Sequence, residues 1–547
     1  MANGLLPVAE PETVTLRLSD GVDLVADIYR PVSPGHHPVM LMRQPYGRAI
    51  ASTQTLAHPA WYAAHGYVVA VQDVRGRGGS KGKFRLFRNE IEDGAATLDW
   101  AAGLSGTDGQ VAMYGSGYQA VTQFLALAGA IRAGTKRPDA IVPAMGAWTI
   151  RDDWAYTGGA FGLAGNIGWA CQIGAEAARL AGHAEAFAAL SAAARGTPWA
   201  GPRPARPEVL ERFSAFSHYA EWLADDPATW AATAPARLFT GRPPGVPGLH
   251  IGGWQDFLLD GTLGGYAACE AGEAPQRLIV GPWAHAPWGR RVGALDLGPE
   301  AVTSVDLETV AFLDHELKGY GAPGPEVSLF DIGAKTWCHF SHWPEAEPVT
   351  LFLTSDGRAA TASTGELVVE PGAYGHDHLV HDPWRPAPVV GGAWGAPGGY
   401  QDRAAIDDRS DVAAYSGAPL TRSYRLVGEV TADLFIEADA PAHDIHATLS
   451  IITPDGRVIA LTSGHLRVPD AMAFGPRRVK MRAVCTTLYP GQALRLSVQA
   501  AAWPAFTINP GTGRNPEQAE TREAMVTTLA IRHGGGHPSR VFLPVID

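Results

Sequence analysis

Three short stretches of this 547-residue chain carry apolar runs into residue types that can do chemistry. The run from Val111 to Tyr114 closes in Gly115-Ser116-Gly117, and a helix-compatible segment starts at Tyr118. A strand, a sharp turn that presents one side chain, and a helix make the local architecture of a nucleophile elbow. Gly253-Trp-Gln-Asp256 ends a later run in a carboxylate, and Gly281-Pro-Trp-Ala-His285 ends the next in an imidazole. An imidazole oriented by a carboxylate is the base that activates a hydroxyl or a water. Together the three stretches point to acyl transfer or hydrolysis. Each alone is a weak signal, because a lone Asp or His after a strand is more often a turn or surface residue.

These residues need a frame that brings strand ends together, and the chain reads as one. Residues 13–31 alternate as a hairpin around Asp20-Gly21, and 38–42 and 66–73 are short apolar strands. Helices are expected at 59–65 and 90–104, and the elbow strand at 110–114. Apolar strands alternating with helices imply a largely parallel sheet with crossovers. From 148 to 235 strand signals vanish and Ala-rich helices, expected at 173–184 and 186–195, take over as a cap over the strand ends. The sheet pattern resumes at 248–254 and 276–281, with a closing helix at 301–317. Past 345 the segments 350–354, 432–437, 447–452, 457–462, 493–500 and 525–532 are short and strand-like, so a β-sandwich is expected there. The Pro- and Gly-rich stretch 380–416 reads as a long loop lying across the domains. The expected layout is an α/β domain at 1–147 and 236–345, a helical cap at 148–235, and a β domain at 346–547. The order elbow, acid, histidine is that of an α/β-hydrolase triad.

Composition bounds the function class. Hydrophobic residues are 46% and charged residues 18% of the chain, the mix of a globular protein. A formal charge of −12 argues against a nucleic-acid partner, which would need a basic face. No apolar run approaches the ~20 residues of a membrane helix. Cys171, Cys269, Cys338 and Cys485 share no metal-type spacing, which fits a reduced compartment and no metal centre. With no basic-then-apolar leader at the N-terminus, the expectation is a cytoplasmic enzyme acting on a small molecule. A homodimer is left open.

The motifs resemble the family of bacterial cocaine esterase and the X-Pro dipeptidyl-peptidase-like (CocE/NonD) acyl hydrolases. The resemblance rests on Gln44-Pro-Tyr46, Gln72-Asp-Val-Arg-Gly76 with Ser80-Lys-Gly82, and Asp108-Gly109. Gly253 to Asp256, Gly281 to His285, Pro454-Asp-Gly-Arg457, Trp503-Pro504 and His537-Pro-Ser539 extend it over nearly the whole chain. It implies an α/β-hydrolase domain, a helical cap and a C-terminal jelly roll. It also implies cofactor-free hydrolysis of esters or amides. Tyr46 would donate to the oxyanion beside the backbone N–H of Tyr118.

The departure is at the elbow. The family reads Gly-x-Ser-Tyr-x-Gly, and here Gly115-Ser-Gly-Tyr118 puts Gly117 at the nucleophile position with Ser116 one place early. Neighbouring residues of a strand face opposite ways, so Ser116 is expected to turn from His285. Glycine meets the positive φ of the elbow without strain. A His285–Asp256 dyad with Tyr46 would remain. General acid–base catalysis is worth ~10²–10⁴-fold and oxyanion donors a further ~10²–10³-fold, so non-covalent chemistry stays credible. Three readings follow: hydrolysis by activated water, a lyase, isomerase or cyclase moving a substrate proton, and a catalytically silent binding protein. Trp148, Trp154 and Trp169 are candidates for an aromatic pocket wall, with core packing the alternative. The loop from Arg75 to Ser80 lacks the P-loop ending and is expected to pack near the site. His36 and His37 read as surface residues, and nothing in the spacing supports a metal at His533 and His537.

Overall fold

The computed structural model describes residues 4–50, 55–196, 201–362, 364–395, 397–471 and 475–546. Its first sheet has ten strands. They are β1 (Glu12–Arg17), β2 (Asp23–Tyr29), β3 (His37–Gln44), β4 (Val68–Asp73), β5 (Thr107–Ser116), β6 (Ala140–Ala144), β7 (Gly248–Gln255), β8 (Gln276–Ala284), β9 (Val327–Asp331) and β10 (Thr336–Phe340). The spatial order is β1-β2-β4-β3-β5-β6-β7-β8-β9-β10. From β4 across to β9 every neighbour pairs parallel, with antiparallel strands at both edges. Parallel strands covered on both faces must be apolar throughout, and every residue of β4 and β7 is buried.

Helices α1 (Pro59–Ala64), α2 (Glu90–Ala102) and α3 (Tyr118–Ala133) supply crossovers in the first half. The cap begins with a short π-helical turn at Ile150–Ala155 and continues as α4 (Leu163–Leu180) and α5 (Ala184–Arg195). α6 (Leu259–Glu270) and α7 (Val305–Lys318) complete the α/β part. The first cap helix therefore starts and stops earlier than the expected 173–184. Gly182 at φ +71 and the His183 ring, which accepts from the Ala186 amide, separate it from α5. The closing helix begins at Val305 because Ala301 lies in a separate 3₁₀ turn.

The second half is mostly β, an eleven-stranded sheet between Glu347 and Ile546 that folds round a single apolar core. Its longest strand, β11 (Tyr424–Ala438), pairs antiparallel with β12 (Pro476–Leu488). The stretch expected as a loop at 380–416 is bounded by strands Gly375–His381 and Val412–Gly417. Its middle does cross the domains, through bridges from Gly293 to Tyr400 and from Pro388 to Trp503.

One buried carboxylate fastens the two halves. Asp331, at the end of β9, accepts from the Thr487 amide at 2.7 Å, the Thr487 hydroxyl at 2.5 Å and the Ala334 amide at 2.9 Å. The Ile332 amide donates to the Cys485 carbonyl alongside. Asp331→Ala would strand these donors in a dry interface. A loss of about 2–4 kcal/mol in unfolding free energy is expected, read by denaturant titration.

Candidate active site

The site forms where β3, β5, β7 and β8 end, the edge at which parallel sheets bind ligands. β5 delivers the elbow. Gly117 lies between β5 and α3 with φ 61° and ψ −117°, a region that strains any residue with a Cβ. Gly115, at φ +139°, lets α3 approach closely: a Cβ there would sit 2.4 Å from that of Gln119. Gly117 faces the imidazole. A Cβ placed on it would lie 3.3 Å from His285 Nε2 and 3.4 Å from Cε1.

Asp256 follows β7 and is fully buried. Its Oδ1 lies 2.8 Å from His285 Nδ1. With Nδ1 held by the carboxylate, Nε2 is the nitrogen turned to the elbow. The Phe257 ring packs 4.9 Å from the imidazole and limits its retreat. Arg482 of β12 reaches in from the β domain, donating to the Asp256 main-chain carbonyl. Ser116 also borders the cavity, and its Oγ is 3.4 Å from Thr55 Oγ1.

Tyr46 comes from the turn after β3. Buried Asp73 shapes that turn, accepting from Gln44 Nε2 at 3.0 Å, the Arg48 amide at 2.7 Å and the Gly79 amide at 2.8 Å. Gln44 in turn accepts from the Tyr46 amide at 2.6 Å. The Tyr46 hydroxyl accepts from Trp169 Nε1 at 3.2 Å, so its own proton is available to another acceptor. Burial pushes the phenol up to about 12, against smaller downward pulls from Trp169 and Arg77. Tyr46 therefore stays protonated across the neutral range. Activity that depends on it is expected to show no alkaline loss from this group below about pH 10, checked in a kcat/KM profile. The Tyr118 amide opens α3, in the first turn whose N–H groups have no carbonyl four residues back.

These groups surround a cavity of about 600 Å³. Tyr46, Ser116, Gly117 and His285 lie on its wall, with Trp154 and Trp169 from the cap. Trp148 does not belong there. Its ring stacks on Phe239 at 5.9 Å and meets Phe124 edge-on at 5.2 Å, packing that holds the cap's end against α3. The sequence reading missed Asn166 and Phe257, and also Trp394 and Phe506, which the β domain contributes to the same wall. Nothing local marks the last two; only the docking of the domains brings them here. His533 sits in the β core against Ser355 and Asp377, far along the chain from these strand ends. The loop 74–82 does reach the site: Arg77 donates to the Pro45 carbonyl beside Tyr46.

Residues 20–287 match the X-Pro dipeptidyl-peptidase (S15 family) domain, and 321–542 match the X-Pro dipeptidyl-peptidase C-terminal non-catalytic domain. Cocaine esterase from Rhodococcus sp. (strain MB1 Bresler) is 30% identical, with all of both chains covered. The chain belongs to the cocaine esterase and X-Pro dipeptidyl-peptidase (S15) family. Solved structures show the family fold over its length. An aminopeptidase from a marine sediment Thaumarchaeota archaeon matches with a TM-score of 0.79 at 21% identity, covering 98% of this chain and 96% of its own. An α-amino acid ester hydrolase matches with a TM-score of 0.79 at 20% identity, covering 98% and 96%. A CocE/NonD family hydrolase from Staphylococcus aureus gives 0.69 at 17%, covering 99% and 93%. The S15 family match ends at 287, just past His285, so every strand-end group described above lies within it. Among the described residues, no helix is long and apolar enough to cross a membrane.

Proposed function

We propose that this family member hydrolyses a small ester or amide without an acyl-enzyme, using His285 as a general base on water. The observation that carries the reading is the elbow itself. The dyad is held as a base, with Nε2 turned to a glycine where a hydroxyl-bearing side chain would be the nucleophile. A water hydrogen-bonded to Nε2 gives up its proton as its oxygen bonds to the acyl carbon. The carbonyl electron pair moves onto oxygen, where the Tyr46 hydroxyl and the Tyr118 amide would receive it. Collapse breaks the bond to the leaving group, which takes the proton back from His285. Asp256 orients the ring and stabilises its cation. The ester or amide class comes from the family, whose relatives carry the names esterase, peptidase and ester hydrolase.

The test is pre-steady-state hydrolysis of p-nitrophenyl esters with labelling by a serine-reactive phosphonate. Wild type is expected to show linear release with no burst and no adduct. An adduct on Ser116 would move the nucleophile there and end this reading. Solvent deuterium entering a recovered carbonyl compound without bond cleavage would mark proton transfer as the chemistry instead.

A further inference from the structure

Helix α4 reaches the turn that carries Tyr46 by two polar contacts, and both leave from one helix face. Trp169 and Ile173 are one turn apart, so their groups share a side. Trp169 Nε1 donates to the Tyr46 hydroxyl oxygen at 3.2 Å. Arg77, 1% exposed, donates through Nη1 to the Ile173 carbonyl at 3.0 Å and through Nε to the Pro45 carbonyl at 2.7 Å. The indole is itself fixed, 4.7 Å from the Trp154 ring and 5.6 Å from that of Trp222.

A phenol oxygen that accepts an N–H cannot point its own proton along the same line. The contact thus turns the Tyr46 O–H away from Trp169, and it polarises that O–H as hydrogen bonds in series do. We propose that Trp169 is a positioning residue for the Tyr46 hydroxyl, so that the cap sets the direction and strength of an oxyanion donor rooted in the sheet. The proposal rests on Tyr46 being an oxyanion donor. Arg77 holds the backbone on either side of this contact and keeps α4 at the right distance from the turn.

The test measures binding rather than turnover. Dissociation constants for methyl phenylphosphonate, a tetrahedral anion, and for neutral methyl phenylacetate would be measured by calorimetry. The proteins are wild type, Tyr46→Phe, Trp169→Phe and the double variant. Wild type should hold the phosphonate more tightly than the ester. Each single change should weaken the phosphonate about tenfold, the scale of one hydrogen bond to a charged group, and leave the ester unchanged. The double variant should bind no worse than Tyr46→Phe, because Trp169 acts through that hydroxyl. Replacing Trp169 by 3-benzothienylalanine, which keeps the shape and lacks the N–H, should reproduce the loss if Trp169→Phe disturbs folding.

Multiplied losses in the double variant would overturn the proposal, as would equal weakening of both ligands by Trp169→Phe or no effect of either replacement. If wild type shows no preference for the anion, or Tyr46→Phe does not reduce it, the donor role of Tyr46 is wrong and the proposal falls with it.

Discussion

Gly117→Ser should turn the protein into a covalent hydrolase. The side chain would grow from a backbone that already has the elbow's φ of 61°, toward an Nε2 that a Cβ would meet at 3.3 Å. That separation is short, and Phe257 on the ring and Asp256 on Nδ1 leave the imidazole only small room to give. The hydroxyl would therefore lie within reach of the base, at the cost of some crowding. Strain of a non-glycine residue at such a φ is about 1–3 kcal/mol, so a lower melting temperature should accompany the gain. Hydrolysis of p-nitrophenyl esters should rise by roughly 10²-fold or more, with a stoichiometric burst. Mass spectrometry should place a phosphonate adduct on residue 117. A folded variant with neither burst nor adduct would show that the dyad does not serve the elbow.

His285→Ala should abolish the wild-type reaction. Loss of the only base facing Gly117 is expected to lower kcat/KM by about 10²–10⁴-fold, the range for general acid–base catalysis. The same change leaves the Asp256 carboxylate fully buried, and its Oδ2 already has no hydrogen-bond partner among the described residues. Breaking a buried charge pair from one side costs about 3 kcal/mol or more, although His285 is 36% exposed at its side chain and water will reduce that figure. Asp256→Asn in the His285→Ala background removes the stranded charge and should recover part of the stability without recovering activity. Turnover that survives His285→Ala would remove the dyad from the mechanism.

The sequence made the strand ends legible because each joins a buried run to a reactive residue. β4, β5, β7 and β8 read as unbroken apolar stretches, and Gly117, Asp256 and His285 follow three of them directly. What stayed hidden was set by tertiary contact. Trp148, Trp154 and Trp169 look alike in sequence, yet a stack on Phe239 takes Trp148 into the core while the other two line the cavity. Strand Gly375–His381 escaped notice because its inward face includes Asp377, a residue that normally argues for solvent. Ser355 and Tyr415 donate to that carboxylate and make its burial tolerable. The hairpin β9–β10 has no reactive residue to draw the eye, and Asp331 becomes meaningful only once Thr487 is seen beside it.

The cavity wall has a thermodynamic consequence. Trp394 and Phe506 belong to the β domain, while Gly117 and His285 belong to the sheet. A ligand touching both sides is a reversible crosslink between two cores that could otherwise melt separately. Its binding free energy adds to the cohesion of the domains, as RT ln(1 + [L]/Kd) for a molecule that binds only the docked form. Saturation should therefore draw the two unfolding transitions together, and the merging of melting curves could identify the natural substrate without any assay of its chemistry.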